Sequence, residues 1–136
     1  MSKTKLKILL VDDDTIYQYI ACKTLEATGL TEKITTCSNG KEAFKFLEEN
    51  LNDKGALPDI ILLDVNMPVM NGWEFLHAFK QLSNTSLKDI RIFLVTSSVN
   101  DADINYSRQF TNVQDYIVKP LAKDKLAKIL QPVIIN

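Results

Sequence analysis

One short segment constrains the fold of this chain more than any other, the sequence IILLD at residues 60–64. A run of branched apolar residues predicts a strand that is covered on both faces of a parallel sheet. The turn after it contains Pro68 and ends at Asn71-Gly72, residue types that favour turns. Sites in open α/β sheets form outside the carboxyl ends of the strands, so Asp64 is the first candidate for chemistry.

Four other segments have the composition of strands, and apolar stripes at helical spacing separate them. The predicted strands are Lys7–Val11, Ile34–Cys37, Ile90–Val95 and Asp115–Val118. The stripe after the first strand consists of Tyr17, Ile20, Ala21 and Leu25. Strict alternation of strands and helices predicts one parallel sheet, covered on both faces and joined by right-handed crossovers.

Composition limits the class of protein. A chain of 136 residues with 46% hydrophobic and 24% charged residues suits one globular domain. The net charge of -1 gives no long-range attraction to nucleic acid or anionic membranes. No apolar run is long enough to span a bilayer, and residues 1–5 lack the apolar core that a signal peptide would have. Cys22 and Cys37 lack metal-binding spacing. We therefore expect one cytoplasmic domain over residues 1–136, with a core of about 5–133 and no output domain.

Asp12 and Asp13 follow the first strand and should meet Asp64 at neighbouring strand ends. Three carboxylates at close range raise one another's proton affinity unless a cation is present. A hard divalent ion, most often Mg²⁺, is the usual partner of such oxygen ligands. The alternative is that the acids only cap the first helix, a role that we assign to Asp14. Capping does not explain the third acid at Asp64.

Thr96 and Lys119 end the two later strands. Lys119 supplies a positive charge on a flexible stem, and Thr96 supplies a hydroxyl. Each has an ordinary explanation, since lysines are common on surfaces and threonines are common in strands. Phosphoryl transfer depends mostly on positioning and charge neutralisation, which these two groups and a metal ion could provide together.

Four separated motifs resemble the receiver domain of bacterial two-component response regulators, of the stand-alone type, over nearly the whole chain. They are LVDDD at 10–14, LDVNMP at 63–68 with Gly72, VTS at 95–97 and YIVKP at 116–120. Each motif alone is weak, but their order and positions agree. The resemblance implies a flavodoxin-like (βα)5 fold with a five-stranded parallel sheet in the order 2-1-3-4-5.

The resemblance also implies a phosphoryl acceptor and a metal site. Asp64 would take the phosphoryl group. Mg²⁺ would bind Asp13, Asp64 and the main-chain carbonyl of Asn66 directly, and Asp12 through water. Lys119 would stabilise the phosphoryl oxygens together with a hydroxyl from the end of the fourth strand.

The hydroxyl at the end of the fourth strand belongs to Thr96. The resemblance also implies that Thr96 and Tyr116 act together as switch residues. The side chains of Asn66 and Ser98 occupy positions that would tune dephosphorylation. The Lys119–Pro120 peptide bond would be cis, which is inexpensive only before proline.

Partners follow from the same resemblance. The phosphoryl donor would be a sensor histidine kinase or a phosphotransfer domain. A downstream protein would bind the fourth helix, fifth strand and last helix, roughly residues 101–133. We expect no nucleic-acid or membrane partner, and no enzymatic activity beyond the protein's own phosphorylation and dephosphorylation.

Three other functions are alternatives to this one. A flavodoxin-like electron carrier needs a phosphate-binding loop after the first strand, where this chain has three acids. An aspartyl phosphatase would use Asp12 with Asp14, but the receiver pattern explains more residues. A pseudo-receiver that is never phosphorylated stays open, although Asp64, Thr96 and Lys119 are present. His77, the only histidine, is expected to be exposed and is not favoured as a phosphohistidine site.

Overall fold

The computed structural model describes residues 5–82, 85–97 and 100–135 of the chain. Its strands are β1 (Leu6–Val11), β2 (Thr31–Cys37), β3 (Ile60–Asp64), β4 (Arg91–Thr96) and β5 (Val113–Val118). Its helices are α1 (Thr15–Ala27), α2 (Gly40–Glu49), α3 (Gly72–Gln81), α4 (Asp101–Ser107) and α5 (Lys123–Ile135), with a short 3-10 turn at Thr85–Leu87. The strands form one parallel sheet in the order β2-β1-β3-β4-β5, which confirms the predicted flavodoxin-like fold.

Strand β3 is the middle strand of the sheet, and all five of its residues are buried. Its side chains alternate between the two faces of the sheet. Ile61 and Leu63 belong to the apolar cluster under α2 and α3, whereas Ile60 and Leu62 belong to the cluster under α1 and α5. Packing on both faces holds the last residue of the strand, Asp64, at a defined place at the carboxyl edge of the sheet.

Helix α1 differs from its predicted apolar face at one residue. Ala21 and Leu25 are buried and Tyr17 is half-buried, but Ile20 is 57% exposed. Successive helical residues are about 100° apart, so Ile20 points well away from the direction of Ala21. The prediction for Ile20 was therefore wrong, because apolar spacing alone does not show which side of a helix meets the sheet.

Polar edge residues explain the main boundary error. Strand β2 begins at Thr31, although the sequence predicted Ile34. Its first residues pair with β1 but carry no apolar signal, because β2 is an edge strand with exposed side chains. In the part of the chain that the structure describes, every helix is too short or too polar to cross a membrane.

Candidate functional site

The three acids predicted from the sequence meet at the carboxyl edge of the sheet. Asp12 and Asp13 follow β1, and Asp64 ends the neighbouring β3. One carboxylate oxygen from each residue lies within 4.8 Å of the other two. Asp12 and Asp64 are buried, whereas Asp13 is exposed. The cluster is thus accessible to an ion from the side of Asp13.

The electrostatics of this acidic cluster are unfavourable by themselves. Burial is the largest cause that raises the pKa of Asp64 to about 6, and the neighbouring charge of Asp12 is the second. The Lys119 ammonium and the N–H of Asn66 act in the opposite direction and lower the pKa of Asp64. Asp64 is therefore ionised at neutral pH, but at a cost that a bound cation would remove.

The donor set fits a hard divalent cation. Three carboxylate groups offer oxygen atoms within one small volume, and oxygen is the ligand type that Mg²⁺ prefers. Asn66 is exposed beside them, and its N–H donates to Asp64 Oδ1 at 3.4 Å. Mg²⁺ keeps several waters in protein sites, and the exposed side of the cluster leaves room for them.

Lys119 extends from the loop after β5 into the acidic cluster. Its Nζ lies 2.9 Å from Asp12 Oδ2 and 3.9 Å from Asp64 Oδ1. The Lys119 N–H donates to the Thr96 carbonyl at 2.9 Å, which attaches this loop to the end of β4. The Lys119–Pro120 peptide bond is cis, in agreement with the geometry that the resemblance implied. The ammonium is nearer to Asp12 than to Asp64.

The two residues expected to act as a switch occupy adjacent strands. Thr96 is the last residue of β4 and is buried. Tyr116 on β5 is half-buried, and its hydroxyl donates to the Asp103 carbonyl of α4 at 2.6 Å. Tyr116 therefore connects β5 to α4. Ser98, which was expected to tune dephosphorylation, lies outside the described residues.

Sequence reasoning missed the role of Gln18. Its Nε2 donates to the main-chain carbonyl of Asp12 at 2.5 Å and to that of Cys37 at 2.9 Å. These bonds hold the carboxyl ends of β1 and β2 together from the first turns of α1. A single glutamine on a polar helix face gives no signal of this kind. Asp14 caps α1 as predicted, and it accepts from the N–H groups of Ile16 and Tyr17 at 3.0 Å each.

A separate aromatic group joins α3 to α4. The Trp73 and Tyr106 rings meet edge to face with centroids 4.9 Å apart. His77 is exposed, as predicted, and its Nε2 forms a hydrogen bond with the Tyr106 hydroxyl. Phe110 lies beside both His77 and Tyr106. His77 therefore contacts α4 through Tyr106.

Comparison with known proteins gives one consistent family. A family model described as "Response regulator receiver domain" matches residues 8–131. Chemotaxis protein CheY1 of Helicobacter pylori is 30% identical over 129 residues, which cover 95% of this chain and 97% of that protein. A two-component response regulator from Cytophaga hutchinsonii has a crystal structure that superposes with a TM-score of 0.86 at 31% identity, covering 97% of this chain and 99% of the other.

Some relatives are much longer than this chain. The protein-glutamate methylesterase/protein-glutamine glutaminase of Clostridium acetobutylicum is 34% identical over 132 residues. The match covers 96% of this chain but only 35% of that protein. The similarity therefore concerns one part of the methylesterase.

Proposed function

This chain belongs to the response regulator receiver domain family, and we propose that within it Asp64 accepts a phosphoryl group in a Mg²⁺-dependent reaction. Receiver domains are modules of two-component signalling that act with histidine kinases and downstream targets. The observation that carries the proposal is the position of Asp64, buried at the end of the central strand between Asp12 and the Lys119 ammonium. The donor is a histidine kinase or a phosphotransfer protein.

In this reaction a carboxylate oxygen of Asp64 attacks the phosphorus of a phosphohistidine. A P–O bond forms to Asp64, the P–N bond breaks, and its electron pair returns to the imidazole of the donor. Lys119 neutralises charge on the transferred group, and the Thr96 hydroxyl donates to one of its oxygens. Asp64 is ready as a nucleophile at neutral pH because its pKa is raised only to about 6.

Asp12, Asp13 and Asp64 would hold Mg²⁺, with the main-chain carbonyl of Asn66 as a further ligand. When bound, the ion supplies positive charge that offsets the negative charge of the phosphoryl oxygens. The side chains of Asn66 and Ser98 tune the lifetime of the phosphoryl group. The only reactions that the protein catalyses in this proposal are its own phosphorylation and dephosphorylation.

The output is a change in protein binding. A phosphoryl group on Asp64 favours the arrangement in which Thr96 and Lys119 contact its oxygens. Tyr116 connects that region to α4 through Asp103, so the affected surface consists of α4, β5 and α5. The partner is a protein, and neither nucleic acid nor membrane is involved. The free thiols of Cys22 and Cys37 support a cytoplasmic location.

Labelling with acetyl phosphate and Mg²⁺, followed by intact mass, tests the proposal. The wild type should gain one phosphoryl group, and Asp64→Asn should gain none. Asp14→Asn is the matched control, because it removes a neighbouring charge while an amide oxygen can still cap α1. Full labelling of Asp64→Asn would overturn the acceptor assignment. A wild type that no donor labels, kinases included, would instead identify a pseudo-receiver that acts by binding alone.

A further inference from the structure

An aromatic ring lies beside the ammonium that the site depends on. The Nζ of Lys119 is 4.2 Å from the centroid of the Tyr17 ring. This distance is well inside the range in which a cation is attracted to the face of a ring. Tyr17 is in the first turn of α1, and its main-chain N–H donates to the Asp14 carboxylate that caps this helix. The ring therefore approaches Lys119 from an element that the cap fixes in place.

The surroundings of Tyr17 indicate that the ring face makes the useful contact. The phenol oxygen is buried and has no hydrogen-bond partner in the part of the chain that the structure describes. Burial raises the pKa of Tyr17 far above its usual range, and the charges of Asp12 and Asp64 raise it further. Tyr17 is consequently a neutral phenol beside the acidic cluster, and its ring stays available to a cation.

We propose that Tyr17 is a positioning residue that holds the Lys119 ammonium between Asp12 and Asp64. The inference rests on the proposed function, since it assigns Tyr17 to the same site. Lysine has a flexible stem, so its ammonium needs a partner that limits its positions. A cation bound to the acids would weaken their attraction for Lys119 by neutralising their charge. The contact between Lys119 and the Tyr17 ring would remain, because it does not depend on the charge of those acids.

The simplest competing explanation is that Tyr17 only fills space, since it also packs on the apolar cluster under α1 and α5. Two substitutions separate the possibilities. Tyr17→Phe keeps the aromatic face, whereas Tyr17→Leu keeps an apolar side chain and removes the face. The matched control is Tyr19→Leu, because Tyr19 is on the same helix, is 66% exposed, and has its own lysine, Lys23, at 5.5 Å from the ring.

The contact itself can be measured without any phosphoryl chemistry. In protein with ¹³C-labelled lysine, the ε-methylene protons of Lys119 should be shifted upfield by the Tyr17 ring current. The signal is assigned from its loss in Lys119→Met. The shift should persist in Tyr17→Phe and Tyr19→Leu and should disappear in Tyr17→Leu. A Lys119 signal at the ordinary lysine position in the wild type would overturn the proposal.

The functional consequence is measured as the initial rate of labelling by acetyl phosphate. Tyr17→Leu should lower the rate by about 2- to 30-fold, the range that the strength of such contacts gives. Tyr17→Phe should restore most of the lost rate. In a Lys119→Met background, Tyr17→Leu should have no further effect, because the group that it positions is gone. Equal rates for Tyr17→Leu and wild type, or additive losses, would overturn the proposal.

The two measurements also separate this proposal from the proposed function. If the wild type is never labelled, the phosphoryl acceptor assignment fails. The ring-current shift still decides whether Tyr17 holds the ammonium in place. If the wild type is labelled and the shift is absent, the acceptor stands and the role of Tyr17 is wrong.

Discussion

Gly72, the first residue of α3, packs directly against the main-chain carbonyl of Asp64. A Cβ at Gly72 would be 2.6 Å from the Asp64 carbonyl oxygen and 2.9 Å from the Val65 Cα. The Gly72 N–H also donates to the Val65 carbonyl at 2.9 Å. The start of α3 therefore lies so close to the main chain of Asp64 that only glycine, which has no Cβ, fits at position 72.

We expect Gly72→Ala to destabilise the protein by roughly 1–3 kcal/mol, because either α3 or Asp64 must move to admit the methyl group. The displacement should also slow labelling at Asp64. Urea unfolding and acetyl phosphate labelling measure the two effects. Gly55→Ala is the control, since its Cβ would meet only the Asp53 carboxylate at an ordinary 3.4 Å. Equal stability of the two variants would contradict the packing argument.

Asp64→Asn should stabilise the metal-free protein at neutral pH. The pKa of Asp64 is raised to about 6 by burial first and by Asp12 second, whereas the unfolded carboxyl group has an ordinary value near 3.8. The folded state binds the extra proton between these values, so wild-type stability falls as pH rises from about 4 to about 6. The variant lacks this fall and should be more stable at pH 7, by up to about 3 kcal/mol.

The pH dependence is measured by urea unfolding in chelator at several pH values. The greater stability of Asp64→Asn should disappear below about pH 4, because residue 64 of the wild type is then protonated in both the folded and the unfolded state. Adding Mg²⁺ should reduce the advantage at pH 7, because an ion that binds only the folded carboxylates stabilises the wild type. A difference that is constant from pH 4 to pH 8 would contradict the role of ionisation.

Asp13→Asn should weaken Mg²⁺ binding strongly, by tenfold or more, because it removes one charged ligand from the acidic cluster. The control is Asp14→Asn, which removes the same charge one residue later from a side chain that caps α1. Calorimetry without phosphate measures both affinities. Equal affinities in the two variants would show that net charge, and not ligation by Asp13, holds the ion.

Thr96→Ala should uncouple the acidic cluster from α4. Beryllofluoride, which mimics a phosphoryl group, should shift amide signals near Asp64 and also near Tyr116, whose hydroxyl contacts Asp103. In Thr96→Ala the shifts near Asp64 should persist, and those near Tyr116 should shrink. Thr96→Ser keeps the hydroxyl and should behave as the wild type. Undiminished shifts around Tyr116 in Thr96→Ala would show that another route carries the coupling.

The sequence predicted much of this molecule from local patterns. The apolar run at 60–64 indicated a strand buried on both faces, and all of its residues are buried. The meeting of Asp12 and Asp13 with Asp64 followed from the strand ends, and the register places Val11 beside Leu63. Parallel neighbours end at one edge of a sheet, so residues that follow such strands are brought together wherever they lie in the chain.

Contacts between side chains from distant elements were not predictable in the same way. Lys119 and Asp12 are 107 residues apart, and only the packed structure shows that the ammonium lies nearer to Asp12 than to Asp64. The same packing decides that Ile20 is exposed and that Tyr17 lies beside Lys119. The sequence by itself determined that there are five strands, that β3 is buried on both faces, and that acids lie at the ends of β1 and β3, because these features depend on local composition. The tertiary structure alone decided which ring and which carboxylate receive the lysine, because a flexible side chain takes its place from neighbours that several elements supply.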